Sequence, residues 1–241
     1  MNPSLGRRSM SDKRDLILFG SAEIAELAHF YFSHDTDYRI AAFTVDDAYV
    51  KEDSFCGLPI LPWSEAQTRF PSETYACHVA LSYMKLNRLR QAKFEQVQAA
   101  GYHLPSYICS KSVTWPDLEM GANCFILENQ TIQPTVKLGD NVMLWSGNHI
   151  GHGTHIGSHT YFASHVVVSG HCRIGERCFF GVNATLRDFL KVGDEAFVAM
   201  DASLTKDVES GSVVLGAPGT VFGPDDPKGR RIRNKYFGLD D

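Results

Sequence analysis

Six of the ten histidines fall between His149 and His171, in the run HIGHGTHIGSHTYFASHVVVSGH. An imidazole that is neutral near pH 7 is a natural general base, and a carboxylate or second imidazole beside it can orient it. Clustered histidines are also the commonest route to a bound metal. The choice between these chemistries depends on which side chains share a face, and so on the element that carries them.

That element has a period of six. From Met120 through Ile126, Ile132 and Leu138 to Leu204, all fifteen residues at this spacing are apolar. In a chain that is 44% hydrophobic, chance gives roughly a few in a million for such a column. A second column, four residues later, runs from Cys124 to Val208, and twelve of its fifteen members are Ser, Thr, Ala, Val or Cys. Neither a helix nor a flat strand has this period; a parallel β-helix of hexapeptides does. Three hexads make one triangular coil, so Met120 to Glu209 gives five coils, stacked roughly 4.8 Å apart like hydrogen-bonded strands.

The repeat places each histidine. Residues eighteen apart stack on successive coils, so above His152, third in the hexad IGHGTH, stand Gly170 and then Asp188. His171 is fourth in its hexad, above Gly153. The third and fourth positions point outward near a corner, so His152, Gly170, His171 and Asp188 form one accessible row. His152 or His171 would be the base, and the Gly170 backbone N–H would be open to an oxyanion. Asp188 also reads as a corner carboxylate satisfying turn amides. His165 sits at a fourth position on another face, where a neighbouring subunit could bring it close. His149 and His155, last in their hexads, read as structural surface residues, and His159 as a solvated corner.

The first part of the chain alternates strand and helix. Asp15–Gly20, Tyr38–Val45 and Tyr75–Ser82 read as strands, Leu58–Leu61 as a short extended piece, and helices begin near Ser21, Ser64 and Leu86. This pattern predicts a parallel, doubly wound Rossmann-like sheet over residues 12–105, followed by the β-helix over 106–220. Residues 1–11 read as a flexible tail and 221–241 as a polar C-terminal tail with Lys228, Arg230, Arg231, Arg233 and Lys235. No GxGxxG follows the first strand, which argues against a dinucleotide site. A helix starting after Gly20 and Ser21 still offers backbone amides to an anion, and ligands favour the carboxyl ends of such strands. Glu23 reads equally as a first-turn carboxylate.

The net charge of −5 gives no reason to expect nucleic acid or a membrane surface, and no run of eighteen apolar residues is present. The start of the chain lacks the apolar core of a signal peptide. The six cysteines contain no CxxC pair and three occupy the small-residue column, so packing explains them better than disulfides or zinc, and the expected compartment is the cytoplasm.

A Rossmann-like domain followed by these hexads resembles the sugar acyltransferases of the sialic-acid O-acetyltransferase and bacillosamine/perosamine N-acetyltransferase type. The resemblance runs from LILFG through LWSGNHIGHGTHIG, ASHVVVSGHCRIG and FFGVNAT to VVLGAPGTV. It implies a left-handed β-helix, a homotrimer with sites between adjacent prisms, acetyl-CoA in the crevice and a nucleotide-linked sugar on the first domain. It implies His152 as base and the Gly170 amide as the contact of the thioester carbonyl. Asn183, Gly216, Ala217 and Pro218 in the matching segments, and the basic Arg230 and Arg231, would meet CoA. Gly20, Ser21, Asp46 and Asp47 would face the sugar nucleotide.

Two departures from the family stand out, and two rival families are disfavoured. Gly153 follows His152 where an acid is usual, leaving the orienting role to His171 or Asp188. The family's GxGGHA appears as GSAEIA, and no GxGTRM-like segment of a nucleotidyltransferase begins the domain. No two histidines of the repeat are five apart, unlike the hexapeptide-repeat carbonic anhydrases. The expectation is an acetyl-CoA-dependent N-acetyltransferase for a nucleotide-linked amino sugar in surface-glycan synthesis. The alternatives are a sugar O-acetyltransferase and a non-catalytic or metal-binding hexapeptide trimer.

Overall fold

The computed structural model describes residues 14–216, 222–223 and 225–237. The apolar run of β1 (Arg14–Phe19) feeds α1 (Glu23–Asp35), and β2 (Tyr38–Val45) follows. A hairpin of β3 (Ser54–Phe55) and β4 (Leu58–Pro62) leads into α2 (Trp63–Arg69), then β5 (Tyr75–Val79) and α3 (Arg88–Ala99). The sheet order is β3-β4-β2-β1-β5, parallel except for the hairpin. That antiparallel edge is an addition to the all-parallel expectation. Cys56 and Gly57, both at positive φ, make the two-residue turn that it needs.

Alternating residues of β1 serve two cores, as a period of two requires. Leu16 and Leu18 pack with α1, whereas Ile17 and Phe19 pack with Trp63 of α2 and Phe94 of α3.

From Tyr107 onward, two-residue strands stack into three parallel sheets. The first face carries Phe125, Met143, Tyr161, Phe179 and Phe197; the second Thr131, His149, Val167, Thr185 and Ser203; the third Glu119, Lys137, His155, Arg173 and Lys191. The apolar column fills the prism, and Phe162 stacks on Phe180 with ring centres 4.5 Å apart. Every sixth residue from Asn123 to Asp201 has positive φ, so each corner turns through one left-handed residue. Asn and Gly, which take this conformation readily, and His, itself enriched there, fill nine of those corners.

The first face receives the α/β domain. Phe32 of α1 packs on Tyr107 and Phe125, and Tyr83 packs edge-on to Tyr161 and Phe179. A buried polar cluster at the neighbouring corner fixes this docking. Arg90 of α3 is 2% exposed, and no carboxylate among the described residues meets it. Its guanidinium donates to the Asn141 carbonyl, to Asn141 Oδ1 at 3.0 Å, to Asn87 Oδ1 at 3.0 Å and to the His159 carbonyl at 2.8 Å. Burial lowers its pKa to about 10. His159 is therefore not the solvated corner that its position suggests. It lies under α3, edge-on to Phe94, with Nδ1 accepting from Asn141 Nδ2 at 3.0 Å.

Burial also lowers the pKa of His159, aided by Arg90, and that of buried His78, each to about 4 from 6.5. Both folded values lie below the unfolded one, so the unfolded chain takes up protons first as the pH falls. Stability is complete above pH 6.5 and declines between 6.5 and 4, by about 1.4 kcal/mol per pH unit for each histidine. Thermal unfolding followed by circular dichroism is expected to show a lower Tm at pH 5 than at pH 7.5. His159→Asn, which removes one titration, should flatten the slope.

The segment read as a C-terminal tail contains α4 (Pro227–Phe237), whose Gly229 rests against Phe222. No described helix is long and apolar enough to cross a membrane.

Candidate active site

The corner between the second and third faces carries the predicted row. Its rungs are backbone hydrogen bonds: His171 N–H donates to the His152 carbonyl at 2.8 Å, and Phe189 N–H to the Gly170 carbonyl at 3.0 Å. The His152 ring lies over Gly170, where an added Cβ would sit 2.9 Å from Cε1 and 3.1 Å from Nε2. Glycine here is what lets the imidazole lie flat along the corner. The His171 ring fills the space above Gly153, where a Cβ would come within 2.5 Å of its Nδ1. It meets His152 edge-on, with centres 4.8 Å apart, and stacks on Phe189 at 5.0 Å.

The orienting partner of His152 is neither His171 nor Asp188. Gln133 Oε1 accepts from the His152 backbone N–H at 2.8 Å and lies 3.0 Å from its Nδ1. His171 makes only ring contacts with the base. The Asp188 carboxylate is exposed and takes no hydrogen bond among the described residues. Gln133 escaped the eighteen-residue arithmetic because it stands nineteen before His152; the residue directly below is Pro134. A long flexible side chain reaches across the stack.

Third-position N–H groups lie outside the strand ladder, and side chains satisfy some of them, while others, such as those of Ser146, Ser164 and Val182, have no partner among the described residues. Ala122 donates to Asp140, Asp140 to Ser158, Glu176 to Asp194 and Asp194 to Ser210, at 2.7 to 3.1 Å. Gly170 N–H has no partner among the described residues. An imidazole beside an unpaired backbone donor, on an open corner, is an arrangement for proton transfer with oxyanion stabilisation. Among the described residues, no three His, Cys, Asp or Glu side chains come together as metal ligands.

The remaining predicted residues lie apart from this row. His165 lies over Gly147 on the corner between the first and second faces, and exposed Asn183 follows it one coil on. Gly20 follows β1, its N–H bound to the Thr44 carbonyl at 2.8 Å, and Ser21 edges a hollow of about 170 Å³ with Tyr49, Lys51 and Phe55.

Asp46 and Asp47 are already engaged within the domain. Asp46 pairs with Lys93 at 2.6 Å, and Asp47 takes the N–H and hydroxyl of Ser64 in the first turn of α2, at 3.1 and 2.7 Å. These Ser64 bonds hold the Asp47 carboxyl below its usual pKa. Gly216 closes the described β-helix, and Ala217 and Pro218 lie outside the described residues. Arg230 pairs with Asp225 at 2.8 Å, and Arg231 is exposed on α4.

A cleft of about 490 Å³ opens at the carboxyl ends of β1 and β5, against the first face. Tyr83, Met84, Trp145 and Tyr161 give it aromatic and apolar walls, with Glu23 and Ser82 as polar groups. Trp145 Nε1 donates to the Tyr161 hydroxyl, which locks the two prism-side walls together. Trp145 lies in the segment LWSGNHIGHGTHIG and Tyr161 in the histidine run, but neither these positions nor Tyr83 carry a signal of their own for a cleft wall.

The fold is an α/β domain followed by a left-handed parallel β-helix of hexapeptide repeats, and residues 135–170 match the family described as bacterial transferase hexapeptide (six repeats). Comparison with curated proteins finds no match. Among solved structures, the acetyltransferase domain of PglB from Neisseria gonorrhoeae FA1090, in complex with acetyl coenzyme A, superposes with a TM-score of 0.76 at 21% identity, over 87% of this chain and 100% of that one. PerB from Caulobacter crescentus, in complex with CoA and GDP-perosamine, gives 0.75 at 20% identity, over 87% and 97%. WeeI from Acinetobacter baumannii AYE gives 0.72 at 18% identity, over 87% and 100%.

Proposed function

We propose that this protein is an acetyl-CoA-dependent N-acetyltransferase acting on a nucleotide-linked amino sugar in the cytoplasm, within surface-glycan synthesis. The observation that carries the reading is the pairing of His152 with the unpaired Gly170 N–H, on a fold shared with acetyltransferases that bind acetyl-CoA or CoA. The acceptor amine adds to the thioester carbonyl, and its oxygen takes negative charge beside Gly170 N–H. His152 Nε2 receives the proton lost by nitrogen. The C–S bond then breaks, and the thiolate leaves to be protonated as CoA. Asn183 and the cationic α4, with Arg231, are the groups proposed to meet CoA.

A homotrimer supports this chemistry. The cleft lies on the first face, whereas His152 stands at the corner between the other two. A neighbouring prism would bring the cleft, His165 and Asn183 of one copy toward the His152 row of the next. Variants of the Caulobacter crescentus perosamine N-acetyltransferase with one histidine changed to Asn or Ala are among the similar solved structures, each in complex with CoA and GDP-perosamine.

The test is CoA release from acetyl-CoA in the presence of UDP-, dTDP- and GDP-linked amino sugars, with product masses. At least one acceptor is expected to gain a single acetyl group, and sedimentation to give three copies. No transfer to any amine, with the trimer intact, would reject the reaction.

A further inference from the structure

Gln133 Oε1 lies 2.8 Å from the backbone nitrogen of His152 and 3.0 Å from its Nδ1. The backbone N–H is a donor in every protonation state, so the amide atom facing it is the carbonyl oxygen and not the NH₂. The same oxygen faces Nδ1, which must therefore carry a hydrogen. In neutral imidazole this leaves Nε2 as the bare nitrogen, and Nε2 is on the part of the ring that rests over Gly170.

We propose that Gln133 is the positioning residue of the site: it fixes the Nδ1–H tautomer and ring plane of His152, and its neutrality suits the base to an amine nucleophile rather than a hydroxyl. The second half rests on the reading of His152 as general base. A carboxylate in this place would stabilise the imidazolium as it forms, the assistance that removal of a hydroxyl proton requires. An amide orients the ring without supplying that charge. An amine needs less help: it attacks with its own lone pair and sheds a proton from an already cationic nitrogen. Among the described residues, no carboxylate is hydrogen-bonded to the His152 ring. The groups near the ring are His171 edge-on at 4.8 Å, Arg173, whose Nη1 donates to the Gly153 carbonyl at 2.6 Å, and Asp188 further along the row.

Long-range proton–nitrogen spectra of the full-length, imidazole-labelled protein read the tautomer directly, with His152→Asn assigning the signal. The wild type is expected in the Nδ1–H form, and Gln133→Leu to revert toward the Nε2–H form. The same variant should lose about tenfold or more in kcat, with the KM for acetyl-CoA unchanged, as removal of an orienting group predicts. Gln133→Glu keeps the acceptor and adds charge. It should restore the tautomer, move the acidic limb of the kcat/KM profile about one pH unit higher and raise hydroxyl acetylation relative to amine acetylation.

An Nε2–H signal in the wild type, or an unchanged tautomer in Gln133→Leu, would overturn the proposal. An unshifted profile or unchanged acceptor ratio in Gln133→Glu would overturn the amine preference. The spectra need no substrate. A protein that shows the Nδ1–H form yet acetylates no amine therefore supports the positioning role while removing the assigned reaction.

Discussion

Alanine in place of His152 is expected to lower kcat for acetyl transfer by about 10²- to 10⁴-fold, the range that a general base contributes. The side chain is exposed at a corner and, among the described residues, its ring meets Gln133, Gly170 and His171, so folding should be nearly unaffected. Acetyl-CoA binding, measured by calorimetry, should persist, because the lost group acts on the proton of the acceptor. The companion variant His171→Ala should cost far less. His171 fills the space above Gly153 and stacks on Phe189, but it makes no hydrogen bond to the base. A small loss in His152→Ala with a large one in His171→Ala would transfer the catalytic role one rung along the corner.

The second large effect is on stability. Arg90→Met should destabilise the chain by roughly 3 kcal/mol, measured as a shift in urea unfolding. The substitution leaves the carbonyls of Asn141 and His159 and the side-chain oxygens of Asn87 and Asn141 without the donor they share. Each buried acceptor that loses its partner costs about 1–3 kcal/mol. Removal of a guanidinium that no carboxylate compensates offsets part of that loss. The variant should also bind the acceptor less tightly. Tyr83 belongs to the α/β domain and Trp145 and Tyr161 to the prism, so the cleft keeps its shape only while the two stay registered. Normal urea stability in Arg90→Met would show that the apolar contacts of Phe32 and Tyr107 hold the docking by themselves.

How much was legible in advance varied with the range of the interaction. The period-six column is a local, repeated signal, and it located the prism and the row holding His152, Gly170 and His171, which the structure brings into contact. Residues whose partners lie off that lattice were not legible. Gln133 is displaced by one from the stacking rule, and Arg90 lies in a helix whose partners are about fifty to seventy residues away. His159 looked solvated because its hexad position faces outward, and nothing local announces that α3 covers it. The resemblance directs Asp46 and Asp47 toward the sugar nucleotide, but their partners Lys93 and Ser64 come from the next helices of the fold. The helix α4 was hidden by its composition: an isolated eleven-residue segment with an internal glycine and several cations has little helical propensity.

The left-handed corners recur without a gap from Asn123 to Asp201, and each side chain there projects away from the apolar column that holds the prism together. The corners occupied by Thr135 and Phe189 show that the backbone tolerates even residues ill suited to positive φ; the Thr135 hydroxyl bonds the Pro134 carbonyl at 2.6 Å and receives Gly153 N–H at 3.0 Å. Selection can therefore rewrite the solvent-exposed corners of this molecule one at a time, while the buried corners that anchor the α/β domain stay fixed. One corner row anchors a second domain through Asn123, Asn141 and His159, and another presents His152, Gly170 and His171 to solvent. The prism is in effect a chassis with interchangeable edges. A descendant could acquire a new acceptor, or lose catalysis and keep its assembly, without altering a residue of the interior.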